Sequence, residues 1–222
     1  MQSIFRGGVP HLPTPPRNLF LALLETNCRP SLKGRVEYSM SLQLITPPSL
    51  EPVTLADAKL HLKVDTTDDD ALIARLITAA RVRAEWHTGR AFVTQSWILW
   101  NDCWSERVEI PLPPLQSVAA VTVYAPNGTA TAIDPSAYAV DAASQPARIL
   151  FGCIPPTALR AINAVAIAFG AGYGDAADDV PAPVCEAILE IVAELYVHRG
   201  DGPEEISLSA QALLAPYRVF RL

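Results

Sequence analysis

No lysine- or arginine-rich run occurs in the 222 residues, and the formal net charge is -6. The electrostatic footprint of a protein that grips phosphates is therefore missing. An acidic surface can still matter beside DNA, because a wall that repels phosphates lets a duplex pass without sticking. The four cysteines, Cys28, Cys103, Cys153 and Cys185, form no C-x-x-C pair, which argues against a zinc ribbon or a thioredoxin-like centre. No apolar run approaches the roughly 20 residues that span a bilayer. Leu19 to Leu24 is too short even for the core of a signal peptide. A reducing, cytoplasmic place of synthesis and no membrane partner are expected.

Catalytic signatures are missing as well. His11, His61, His87 and His198 show no H-E-x-x-H spacing, and no G-x-S-x-G element offers them a nucleophile. Gly170-Ala-Gly-Tyr-Gly174 follows an apolar strand, but its G-x-G-x-G spacing is wrong for a dinucleotide loop and the next helix is delayed to Pro181. A flexible strand-to-helix connection is the simpler reading. Asp68-Asp69-Asp70 lacks the Gly and the distal Glu of a calcium loop and suits a helix start, where negative charge is favourable. Trp86, Trp97, Trp100 and Trp104 could form a stacking platform, yet no basic partners accompany them. No catalytic residue, cofactor or metal ligand is expected.

Half of the chain is apolar and 18% is charged, enough for a real hydrophobic interior. Residues 1–39 carry five Lys or Arg against two Glu, several prolines and no sustained period. They read as an appendage, with the compact domain beginning at Met40; a helix over Asn18 to Thr26 is the competing reading. Thr54 and Asp57 have capping-box spacing, followed by Leu55, Ala58 and Leu62 on one helical face. Thr67 and Asp70 repeat the signal. Leu72, Ile73, Leu76, Ile77, Ala80 and Ala84 then mark a helix that stops at Gly89. Arg75, Arg81, Arg83 and Glu85 fall mostly on its other faces, solvated or at a subunit contact.

From Ala91 to Ala171 the period becomes extended, with six strand-like runs and turns at Pro113-Pro114, Pro126-Asn127-Gly128, Asp134-Pro135 and Pro155-Pro156. Pro181 and Pro183 open a third helix striped by Val184, Ile188, Val192 and Leu195, which Gly200 closes. Ser207 or Ser209 caps a last helix that Pro216 terminates. The expected class is α+β: a helical core of about four helices over 52–90 and 181–216, with a β-rich insertion, 91–171, between the second and third helices.

Four ordered stretches carry a family resemblance: Pro52 to Asp65 with the following Asp-Asp-Asp-Ala-Leu-Ile; Thr88 to Trp97; Pro111 to Val118; and Ala171 to Asp175 leading through Val180-Pro-Ala-Pro183. With Ala212 to Arg218 they make the segment from Met40 to Leu222 resemble the head-tail connector (adaptor) family of long-tailed bacteriophages, prophages and gene transfer agents. The resemblance implies a structural subunit, not an enzyme, assembled as a ring, usually dodecameric, at the head-tail interface of the virion. It also implies a portal protein above the ring, a stopper or tail-completion protein below it, and non-specific passage of double-stranded DNA through its channel. A stopper or tail-completion ring protein, or a small enzyme with a dispersed site, are the alternatives.

The C-terminal segment holds the expected partner-binding residues. Leu213, Leu214, Tyr217, Val219, Phe220 and Leu222 are many apolar residues for an unattached tail, and Pro216 breaks the helix that could fold them back. Arg218 and Arg221 add positive charge to an acidic protein. The segment from Ala210 is thus expected to dock on the portal or a neighbouring subunit, with 217–222 as the docking tail; the competing reading packs Tyr217 to Leu222 on their own domain.

Overall fold

Thr54 has extended backbone, and its Oγ1 accepts the Asp57 N–H at 3.1 Å while Asp57 Oδ2 accepts the Thr54 N–H at 3.4 Å. That reciprocal box opens α1 (Leu55–Leu62), as its spacing predicts. Lys63, in the left-handed region at φ 56°, ends it. The structure, a computed structural model, describes residues 40–152, 155, 157–198 and 206–219. The extension read over 1–39, the stop at Gly200 and the tail residues Phe220, Arg221 and Leu222 lie outside the described residues.

Asp69, not Thr67, occupies the N-cap position of helix α2 (Asp70–Thr88), and its side chain makes no capping hydrogen bond. The Thr67 carbonyl, not its hydroxyl, takes the Asp70 N–H. Asp69 in turn accepts the Tyr196 hydroxyl, and Asp70 pairs with Lys59 at 2.6 Å. Two of the three consecutive acids therefore join helices to one another. Ile73, Ile77, Ala80 and Ala84 are buried along one face, and Gly89 closes the helix at φ 71°, a conformation that glycine adopts without steric cost.

Arg81 and Glu85 correct the expectation of a solvated face. Arg81 is buried, with Nε 2.7 Å from Glu51 Oε2 and an Nη 2.7 Å from Glu85 Oε2. Glu85 Oε1 also accepts the Phe92 N–H and the Gln95 amide. A guanidinium satisfied on two sides can enter a helix packing face that periodicity reads as polar.

Helix α3 (Ala182–His198) buries Val184, Ala187, Ile188, Ile191 and Val192 against α2 and the final helix, α4 (Leu208–Leu214). Ser207 caps α4 through the Ala210 N–H. Full burial of side chains such as Ile73, Ile188 and Ile191 stabilises the helical layer by roughly 1.5–3 kcal/mol each. Pro216 does not detach the C-terminal segment from α4: Ala215–Tyr217 continue from the helix as a 3-10 turn. Proline needs no N–H partner in the first turn of such an element.

Eight strands among the described residues build two antiparallel sheets. The larger runs β1 (Met40–Thr46), β2 (Gln95–Asn101), β8 (Val165–Ala171), β4 (Leu115–Tyr124) and β5 (Ala130–Ala132). The smaller runs β3 (Arg107–Ile110), β7 (Ala147–Phe151) and β6 (Tyr138–Asp141). Val108, Ile110 and Ile149 of the small sheet share one buried cluster with Leu99, Val121, Ile167 and Phe169 of the large one. The fold class is α+β with four helices among the described residues, as expected. Strands are not confined to 91–171, however: β1 precedes α1 and pairs with β2, Leu42 opposite Leu99 and Leu44 opposite Trp97.

The Asn127-Gly128 signal is borne out. Gly128, at φ 86°, returns its N–H to the Ala125 carbonyl, and Ala125 pairs with Thr129 to set the β4–β5 register. The Gly170–Gly174 stretch, read as a flexible connection, is instead tied down. Thr94 N–H bonds the Gly174 carbonyl, Tyr173 N–H the Phe92 carbonyl and Gly172 N–H the Pro114 carbonyl. A Cβ on Gly172 would lie 2.6 Å from Thr94 N. Glycine is required there because two backbone segments touch, and the contact binds the large sheet to the segment that carries Phe92 into the helical core.

Candidate partner-binding site

Ala210 and Leu214 are fully buried in the helical core, and Leu213 and Tyr217 pack against it. The expectation that the segment from Ala210 stands outside the subunit's own core is corrected. The cause is the 3-10 continuation through Pro216, which keeps Tyr217 on the apolar side of α4. Beyond it the backbone is held at two points. Arg90 donates its Nε–H to the Tyr217 carbonyl and an Nη–H to Gln145 Oε1, and Val219 donates its N–H to the Thr88 carbonyl at 2.8 Å.

Arg218 lies at the surface beside the end of α2. Its charge, after partial burial, depresses the basicity of His87 below the ordinary imidazole value. A helix C-terminus favours a protonated imidazole; the proximity of a guanidinium opposes that protonation. Val219 lies against Gly89, where an added Cβ would come 3.6 Å from Val219 Cβ.

Val219 also borders a cleft of about 810 Å³ that sequence reading missed. Its walls are Leu42 and Leu44 of β1, Val82 and Trp86 of α2, Trp97 of β2, and Leu112. Leu42 and Leu44 are 41% and 43% exposed and Trp86 is 84% exposed. The Arg81–Glu85–Gln95 cluster borders the cleft too. Burial pushes the Glu85 carboxyl up from 4.5, and Arg81, Phe92 N–H and Gln95 pull it back. Arg81 and Glu85 are matched to one another, and most of the remaining lining is apolar.

The remaining tryptophans are used within the sheets. Trp100 Nε1–H donates to Gln43 at 3.1 Å across β1 and β2, and its ring neighbours Tyr124, over which Arg160 stacks at 4.2 Å. Trp104 packs on Phe151 at 4.5 Å. No group of three or more His, Cys, Asp or Glu is placed to hold a metal ion among the described residues. No described helix is long and apolar enough to cross a membrane.

Among the described residues, four helices and two antiparallel sheets make the α+β fold on which these joints are built. Residues 52–145 match the model of the family described as Phage gp6-like head-tail connector protein, and the resemblance read from the four sequence stretches is borne out. A chain in the neck of an empty gene transfer agent (GTA) particle, computed with C6 symmetry, is similar at 23% identity and a TM-score of 0.70 over 82% of this chain and 97% of that one. A chain of the native GTA virion gives 21% and 0.69, covering 82% and 96%, and one in the native neck computed with C12 symmetry gives 22% and 0.68, covering 82% and 97%. At those identities the likeness shows a common fold. No curated protein matches the chain.

Proposed function

We propose that the chain is a structural head-tail connector, or adaptor, that forms a ring under the portal of a phage-like particle, extends the DNA channel and presents a platform for the tail. The observation that carries this reading is the head-tail connector match over 52–145 on a fold shared with GTA neck chains. A ring of twelve satisfies both the C6 and the C12 symmetry named for those necks. Charge supports DNA passage: residues 40–222 carry 12 Lys or Arg against 21 Asp or Glu, a formal balance of -9, and an acidic wall does not hold phosphates.

In this reading the subunit acts by assembly and not by catalysis. Residues 91–171 are an insertion into a helical unit, and 1–39 an extension to it. The docking role expected of 210–222 contracts to the surface beyond Tyr217, since Leu214 belongs to the subunit's core. Portal above and stopper or tail-completion protein below are the partners. Imaging of intact particles, with the subunit identified by a tag, tests the reading: a single ring layer against the portal is expected. Density only in the tail tube, or co-purification with tail-tube protein in place of portal, would overturn it.

A further inference from the structure

We propose that the cleft beside Val219 is the seat of the chain's own Phe220-Arg221-Leu222, so that the isolated subunit carries its tail folded onto itself. Position argues for this occupant first. Val219 lines the cleft and is anchored by its N–H on Thr88, at the end of α2. Phe220 is its immediate neighbour, and three residues reach about 10 Å when extended. The tail is thus delivered at the mouth of the cleft by a fixed hydrogen bond.

Chemistry agrees with position. The walls at Leu42, Leu44, Val82, Trp86, Trp97 and Leu112 are apolar, and apolar surface gathered in one concavity marks an interaction site. In an extended tail Phe220 and Leu222 point to one side and Arg221 to the other. Two apolar side chains can then enter together while the guanidinium stays in water. Of the charged groups bordering the cleft, Arg81 pairs with Glu51 and Glu85, and Arg90 donates to the Tyr217 carbonyl and to Gln145.

The tail of a second copy fits less well. A neighbouring copy's Phe220 is held one residue from that copy's own anchored Val219. The seated tail also gives the connector reading a switch, because docking on a partner would have to lift it and bare the tryptophans. The seat itself stands or falls on the isolated chain, without reference to any particle.

The test uses the full-length chain labelled with 5-fluorotryptophan, whose resonances are assigned by Trp86→Phe and Trp97→Phe. Phe220→Asp/Leu222→Asp is expected to move the Trp86 and Trp97 signals and leave those of Trp100 and Trp104 in place. A synthetic peptide, Pro-Tyr-Arg-Val-Phe-Arg-Leu, is expected to bind this variant at least tenfold tighter than the unaltered chain, whose cleft is filled. If the double variant does not fold, the single Phe220→Ala chain gives the same fluorine readout. Unmoved Trp86 and Trp97 signals, or equal peptide binding by both chains, would overturn the proposal. So would signals that shift with protein concentration, which assign the cleft to a second copy, or that shift on removal of residues 1–39 but not on tail substitution.

Discussion

Arg90 donates its Nε–H to the backbone carbonyl of Tyr217, joining residues 127 apart in the chain. The same guanidinium reaches Gln145, so one side chain ties the end of α2, the turn before β7 and the C-terminal segment. Arg90→Ala should destabilise the fold by about 1.5–3 kcal/mol, the range for hydrogen bonds to a charged group. Arg90→Lys should recover little of it, because an ammonium cannot reproduce the planar fork. Urea unfolding checks both variants, and faster hydrogen exchange at the Val219 amide should accompany the loss.

Arg81 is the centre of the second joint. Arg81→Met leaves Glu85 largely buried without its ion pair and Glu51 without its guanidinium, and should cost about 3–5 kcal/mol. Adding Glu85→Leu should restore part of that cost, since the stranded charge goes with it. The folded Glu85 carboxyl lies above its unfolded 4.5, so the native state binds more protons between the two values. This group therefore favours the fold most below pH 4.5 and progressively less as pH rises through its raised folded value. Thermal melts across the acid range should show that trend weakened in the double variant.

Leu214 separates the subunit's core from its tail. Leu214→Ala removes a fully buried side chain and should lower stability by about 2–5 kcal/mol. Substituting exposed Arg218 should cost less than Leu214→Ala, because it removes no buried apolar side chain. Denaturant titration of the two variants checks the boundary; equal effects would return Leu214 to the tail.

Residue pattern made the helices legible because local chemistry writes them. The Thr54–Asp57 box, the stripe from Ile73 to Ala84 and the Gly89 stop are decided within a few residues. Pairings over long separations are not. That Glu85 reaches Gln95 and Glu51 reaches Arg81, or that β1 completes the large sheet, comes only from tertiary contacts. The cleft was hidden for the same reason: Leu44, Trp86 and Trp97 come from three elements, and only the exposed Trp86 on α2 gave a local sign of it. Pro216 misled the reading of the tail, because a proline that ends an α-helix can also begin a 3-10 turn.

His87 offers a spectroscopic report on the C-terminal segment. Partial burial and the Arg218 charge hold its imidazole below the ordinary 6.5. The unfolded chain then binds more protons just below that pH, so this group's contribution to stability is intact above 6.5 and is lost as pH falls toward the lowered folded value. Arg218→Ala should raise the His87 pKa without restoring it to 6.5, because the burial remains. An NMR titration of the imidazole signals measures this, and an unchanged midpoint would mean that Arg218 does not sit beside His87 in solution.

Charge makes the last prediction, and it bears on the connector reading directly. With a balance of -9 over residues 40–222, the assembled protein should pass duplex DNA without holding it. The affinity of a protein for DNA falls with salt at a slope of about -0.9 per phosphate neutralised, so the slope counts the contacts. A fluorescent 30-base-pair duplex, titrated with the protein in its assembled state, should show no saturable binding at about 150 mM salt, near-physiological conditions under which even a non-specific binder with several phosphate contacts is readily seen. The basic residues of 1–39 are the place where an exception could arise, so the chain lacking them is measured in parallel. Binding that disappears with that segment would leave the domain's acidic wall intact as a mechanism. Saturable binding by residues 40–222 alone, with a slope steeper than about -3, would require at least three phosphate contacts and would be incompatible with a channel through which DNA slides freely.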